Sequence, residues 1–282
     1  MSGRRLAVVG RELCAMLEAV HLVTYMSEEP VEEFEKLGWA GHWPGYFASR
    51  SAPLGKVPAA VVDALFYNFA PGEVAAYIPG VWEIATPEQA LAAREAGSVR
   101  ALRRILGKLA DSPAVERAAE LATRAAFAAP SERRILYAAL RTLPVPEEPL
   151  ARLWHASTLL REHRGDGHYA ALVTAGVGGQ ECHVLEALWL GMPAREYGRL
   201  YPLSDDELAA VVEGMRGRGL VGADGWLTAA GRETKERVEE ITDALAAPAY
   251  AALSQHELEQ LAADLAPLVD RIKSVGYERP AA

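Results

Sequence analysis

Residues 203–245 read LSDDELAAVVEGMRGRGLVGADGWLTAAGRETKERVEEITDAL. Ser204 ahead of Asp205, Asp206 and Glu207 is a helix N-cap with an acidic first turn, which the helix dipole favours. Leu208, Val211, Val212 and Met215 recur at helical spacing and line one face. Arg218-Gly219-Leu220-Val221 ends that helix, and Asp224-Gly225 is a tight hairpin turn. Trp226-Leu227-Thr228 then reads as a short strand leading into a second helix from Ala229. The stretch thus reads as a helix, a short hairpin and a second helix in direct succession.

Working outward, the chain carries a polar pattern twice. His21, Thr24 and Glu28 are spaced as His155, Thr158 and Glu162 are, and Gly41-His42-Trp43 is echoed by Gly167-His168-Tyr169. Val61, Ala64 and Leu65 then fall on Val184, Ala187 and Leu188, with shorter connecting loops but the same order. This is the mark of a tandem duplication. The expected fold is mainly helical, all-α: two winged-helix-like copies and one short β-hairpin wing. Its segments are a degenerate copy at 1–106, a helical connector with a Pro-rich linker at 107–149, and the full copy at 150–282. The linker is the run Leu143 to Pro149, which holds Pro144, Pro146 and Pro149. Local signals predict one helix over Arg11 to Lys36, kinked at Pro30, and a helix over Glu73 to Ile78. They also predict a helix from Leu150 to His163 ended by Arg164-Gly165-Asp166-Gly167, and a capped helix from Thr86.

Composition narrows the function. Half of the 282 residues are hydrophobic and a quarter charged, as in globular proteins, and the abundance of Ala favours helix. The net charge of −9 counts against a sequence-independent nucleic-acid binder. No stretch approaches the ~20 apolar residues of a membrane span, and MSGRRLAVVG lacks the apolar core of a signal peptide. Cys14 and Cys182 read as reduced thiols, so a cytoplasmic protein is expected.

The Gly-Leu-Val helix end, the hairpin and Leu227-Thr228-Ala229-Ala230-Gly231 resemble the winged helix-turn-helix of MarR-type regulators. Together with LWHASTLLREHRGDGHYAAL and ALFYNFAPGEVAAYIP, the chain looks like an actinobacterial helix-turn-helix family. The likeness covers about residues 150 to 250 directly and implies a MarR dimer fused into one chain, a pseudo-dimer that is monomeric or a homodimer. It also implies a transcriptional regulator, but the residues depart from that pattern. The reading helix opens on Ser204-Asp205-Asp206-Glu207, three carboxylates facing a polyanion, and the wing tip has no cation. Arg195, Arg199, Arg216, Arg218 and Arg232 are the nearby candidates for phosphate contact. Duplex DNA is therefore a disfavoured partner, and a small molecule the favoured one.

The candidate ligand site is the duplicated polar set. His155, Thr158 and Glu162 share one side of a helix, as do His21 and Glu28 in the first copy. A pseudo-two-fold arrangement brings His155 toward Glu28 and His21 toward Glu162, with His42, Arg161, Arg164, Asp166, His168 and His183 around them. Arginine forks suit an anionic group, and His beside Glu serves acid/base chemistry or a passive clamp equally. The competing reading is that these are paired buried polar residues holding two helices in register. No metal is expected, because no short-range His/Glu ligand spacing is present. P-loop, Rossmann and nucleophile-elbow patterns are also missing, so no cofactor is assigned.

Overall fold

The computed structural model describes residues 3–278. Its helices are α1 (Gly3–His21), α2 (Val23–Met26), α3 (Glu28–Lys36), α4 (His42–Ser51), α5 (Ala59–Phe66), α6 (Val81–Ile84) and α7 (Pro87–Leu106). There follow α8 (Pro113–Ala128), α9 (Ile135–Leu140), α10 (Pro149–Thr174), α11 (Gly179–Trp189), α12 (Asp205–Gly217), α13 (Ala229–Ala246) and α14 (Gln255–Val275). The protein is mainly helical, as expected. The hairpin region holds one isolated antiparallel bridge, Val221 to Leu227, and no strand occurs among the described residues.

Two compact units are formed. The first takes 1–57, 77–166 and 243–282; the second takes 58–76 and 167–242. These units cut across the three sequence segments 1–106, 107–149 and 150–282. Helix α10 supplies residues up to Asp166 to the first unit and from Gly167 to the second.

Several local expectations need correction. The helix from Arg11 breaks at Leu22 and at Ser27, which is extended (φ −107°, ψ 157°), and not at Pro30. Pro30 lies in the first turn of α3, where its missing N–H costs no hydrogen bond. Glu73 to Ile78 forms turns and not a helix. Gly165 and Gly167 do not end α10, which runs on to Thr174. Burial of Ala171 and Leu172 in the second unit's core outweighs the roughly 1 kcal/mol that each glycine costs a helix. Where the cap chemistry is local, the prediction holds. Thr86 and Gln89 exchange side-chain and backbone bonds at the start of α7, as Ser204 and Glu207 do at α12.

In the first unit α3 packs on α7, and α14 packs on α1 and α8. The approach of α3 to α7 requires Gly97, because a Cβ there would lie 2.4 Å from Pro30 Cα and 2.9 Å from the Glu29 carbonyl oxygen. Both obstacles are backbone, so α3 would have to move. Gly97→Ala is expected to destabilise the protein by on the order of 2 kcal/mol, read from the urea midpoint, despite Ala's better helix propensity.

The N-terminal part of α10, Leu150 to Leu160, is buried on nearly every side, so its polar face is as enclosed as its apolar one. In the second unit Leu172, Val184, Leu188, Leu208, Met215 and Leu227 form the core between α11, α12 and the bridge. Gly231, which completes the Leu-Thr-Ala-Ala-Gly run, has a spatial reason: a Cβ there would meet the Leu220 carbonyl oxygen at 2.2 Å. Thr228 Oγ1 accepts the Gly231 N–H and donates to the Gly219 carbonyl, tying the start of α13 to the turn that follows α12.

Candidate functional site

The first unit holds a buried polar network on α1, α2, α4, α7 and α10. Its first strand is made of hydroxyls and rings. Thr158 Oγ1 lies 3.0 Å from the Trp154 carbonyl and donates to it, so it accepts from His21 Nδ1, 2.9 Å away. That places the His21 proton on Nδ1 and leaves Nε2 a bare acceptor, buried and without a partner. Trp154 Nε1 donates to Thr24 Oγ1 at 2.9 Å, and Thr24 in turn bonds Ser98 Oγ at 2.9 Å. Burial, then the charges of Arg161, Arg94 and Arg50, hold His21 well below its ordinary pKa, so it is neutral at pH 7.

The second strand of the network is ionic. Glu162 accepts from Arg50 Nη2 at 3.1 Å and from Arg161 Nη1 at 2.9 Å. Burial pushes the Glu162 carboxyl upward, but Arg50 and Arg161 outweigh it and hold the group at about 2. Arg50 also donates to Tyr46 Oη, and Arg161 lies over the Tyr25 ring. Burial raises the Tyr25 phenol above its usual range.

Arg94, on α7, joins the two strands. It is 1% exposed, donates to the Ser49 carbonyl and to Tyr25 Oη, and lies over the Tyr25 and Trp154 rings. It makes no ion pair among the described residues, and its Nε is buried without a hydrogen-bond partner.

A cavity of about 350 Å³ opens on this network. Arg94, Trp154, His155 and Thr158 form its polar wall, and Leu140 and Leu143 part of its apolar wall. Ala92 and Ala96 in the lining are exposed and mark its open side. His155 is 5% exposed, and its Nε2 has no partner. Burial, then Arg94, lowers its pKa to about 4, so it faces the cavity as a neutral ring.

The sequence-predicted residues divide into those that meet here and those that do not. His21, His155, Thr158, Arg161 and Glu162 are in the network or its cavity wall. His21 bonds Thr158, and the partners of Glu162 are Arg50 and Arg161. Glu28 is exposed in the first turn of α3. His42 opens α4, stacked on Tyr46 at 5.8 Å, and burial lowers its pKa. Arg164 pairs with Asp243 at 2.7 Å. Asp166 accepts the Tyr137 N–H at 3.1 Å, and burial raises it to about 6. His168 and His183 belong to the second unit, where His168 bonds Thr242 at 3.0 Å and His183 bonds the Asn68 carbonyl at 3.0 Å.

Sequence reasoning missed Arg94, Arg50, Trp154 and Ser98. A signal for Arg94 existed: it falls on the small-residue stripe Ala90, Ala93, Gly97 and Ala101 of α7, where a core-facing cation stands out. Among the described residues no group of three His, Cys, Asp or Glu side chains converges as metal ligands would, and no helix is long and apolar enough to cross a membrane.

The second unit holds the stretch that the sequence likens to a winged helix-turn-helix, α12 to α13. Its arginines are engaged: Arg195 with Asp205 at 2.8 Å and the Leu203 and Ser204 carbonyls, Arg199 with Glu73 at 3.1 Å. Arg216 pairs with Glu213, and Arg218 with Glu181 and the Gly176 carbonyl. Arg232 is exposed. Asp205, Asp206 and Glu207 are exposed along the first turn of α12. No curated protein and no solved structure matches the chain. The model of a family described as a helix-turn-helix family matches residues 10–278, and the chain belongs to that family.

Proposed function

We propose that this helix-turn-helix protein is a small-molecule binder whose operative site is the cavity of the first unit. The observation that carries the reading is a pair of buried, unpartnered polar groups, Arg94 Nε and His155 Nε2, on side chains that line one cavity. Leaving such groups unsatisfied costs about 1–3 kcal/mol each, a cost that a bound ligand removes. His155, Thr158 and Arg94 are the contacts; His21, Arg161 and Glu162 hold them from behind.

His155→Ala is the direct test. The variant is expected to stay folded and to lose the thermal stabilisation that small-molecule library hits give the parent chain. Retention of that stabilisation in the variant would move the ligand elsewhere.

A regulator that binds DNA is the second reading, favoured by family membership. In solution we expect no sequence-dependent gel shift with the promoter region of its own gene at about 0.15 M salt, because the α12 carboxylates oppose phosphate and Arg195, Arg199, Arg216 and Arg218 are already paired. A nanomolar shift abolished by unlabelled specific duplex would establish the regulator and make Arg195, Arg199, Arg216 and Arg218 its phosphate contacts.

A further inference from the structure

We infer that the ligand of this cavity is an organic monoanion with an apolar body, its charged group seated between Arg94 and His155. The inference rests on the cavity reading above and adds the chemistry of the occupant.

Charge balance supplies the first argument. The network buries Arg50 and Arg94 with Arg161 partly enclosed, and the carboxylate bonded within it is Glu162. Glu162 is already taken by Arg50 and Arg161. Glu18, its side chain 47% exposed, lies 3.4 Å from Arg161 at the edge of the network and pairs with that arginine, not with Arg94. Arg94 is left with a carbonyl, a phenol and two aromatic faces, none of which carries a full negative charge. A buried cation without a counter-ion is costly, and an anion delivered by a ligand removes that cost.

Donor geometry supplies the second. Arg94 Nε is a donor and has no acceptor. His155 is neutral and can present N–H to the same group. Thr158 Oγ1 and Trp154 Nε1, the other polar groups nearby, are satisfied inside the protein. Among the lining residues the unpartnered Arg94 Nε is a donor and the neutral His155 ring can offer a second N–H, so the pair suits a group that accepts, and a carboxylate does this with charge assistance.

The remaining lining decides the body. Leu91, Leu140, Leu143, Pro144 and the Trp154 ring are apolar. Glu95 is the one acidic lining residue; it is half-buried beside the exposed Ala96, and burial, then Glu148, raises its pKa. It disfavours a second negative charge toward the open side, so the ligand carries one.

The test compares isosteres that differ in charge: cyclohexanecarboxylate, cyclohexylmethanol and cyclohexylmethylamine, titrated by calorimetry at pH 7 with thermal shift as a second readout. The carboxylate is expected to bind about tenfold or more tightly than the alcohol, and the amine not at all. Arg94→Gln should reduce the carboxylate to the alcohol's level. Should that variant fail to fold, Leu143→Trp, at a half-buried wall position, fills the apolar end and is expected to abolish binding of both. Equal or tighter binding of the alcohol or the amine would overturn the anion assignment and leave the cavity reading standing. Binding of none of the three at millimolar concentration, or carboxylate binding unchanged in Leu143→Trp, would overturn the cavity reading and the assignment with it.

Discussion

Replacing Glu162 by glutamine is expected to destabilise the protein by about 3–5 kcal/mol, the range for breaking a buried ion pair from one side. Glu162 is 1% exposed and is bonded to Arg50, itself 4% exposed, and to Arg161. An amide keeps the shape and one acceptor but leaves two guanidinium groups with no formal counter-charge, and Arg94 adds a third cation nearby. The parent and variant should share a denaturant slope, with the loss appearing in the midpoint. Arg237→Ala, at the exposed Arg237–Glu233 pair, is the control and should change stability by less than about 1 kcal/mol. A Glu162→Gln loss as small as the control's would mean that the network is hydrated and open, not enclosed. The pH signature has a definite sign. The folded Glu162 titrates at about 2, below the ordinary carboxylate value, so its contribution is present above about pH 4 and disappears as pH falls toward 2.

A second large effect comes from the buried histidines and acts at milder pH. His155, His163 and His183 are each held to about 4 by burial, and His21 is also held well below 6.5. In the unfolded chain each titrates near 6.5, so the unfolded state binds more protons between pH 6.5 and 4. Stability is therefore full above pH 6.5 and falls as pH drops toward 4, by several kcal/mol on the order-of-magnitude scale of 1.36 kcal/mol per pH unit per proton. Asp166 opposes this. Its folded pKa of about 6 lies above the unfolded value, so its protonation in the folded state adds stability as pH falls from 6 to 4. One such group does not offset four. Melting temperature measured from pH 8 to pH 4 should drop most steeply between 6 and 4.5, and His163→Phe should flatten that slope by about one proton. A melting temperature flat across that interval would refute the buried neutral assignment of the histidines.

Legibility of the candidate site followed the same physics. His21, Thr158 and Glu162 were visible because polar residues repeated at helical spacing select a shared helix side, and the fold does bring them into one network. Their partners were not legible. Glu28 was the expected acidic partner of His155, yet it is exposed, because the chain turns at Ser27 and starts α3 there. Arg50 and Arg94 took over from α4 and α7, far away in sequence, and no local period announces which distant cation will face a buried carboxylate.

What the residue order determines by itself is local. Ser204 with Glu207 and Thr86 with Gln89 cap their helices through bonds that span three residues, and the mostly helical class follows from composition and period. Tertiary structure decided what local rules leave open. Burial carried α10 through two glycines that read as a stop, and assigned residues 58–76 to the second unit with 167–242. It also left Arg94 Nε and His155 Nε2 without partners beside a cavity. The reason is range: caps and turns are satisfied within a few residues, whereas the partner of a buried charge is whichever side chain the packed helices bring within about 3 Å.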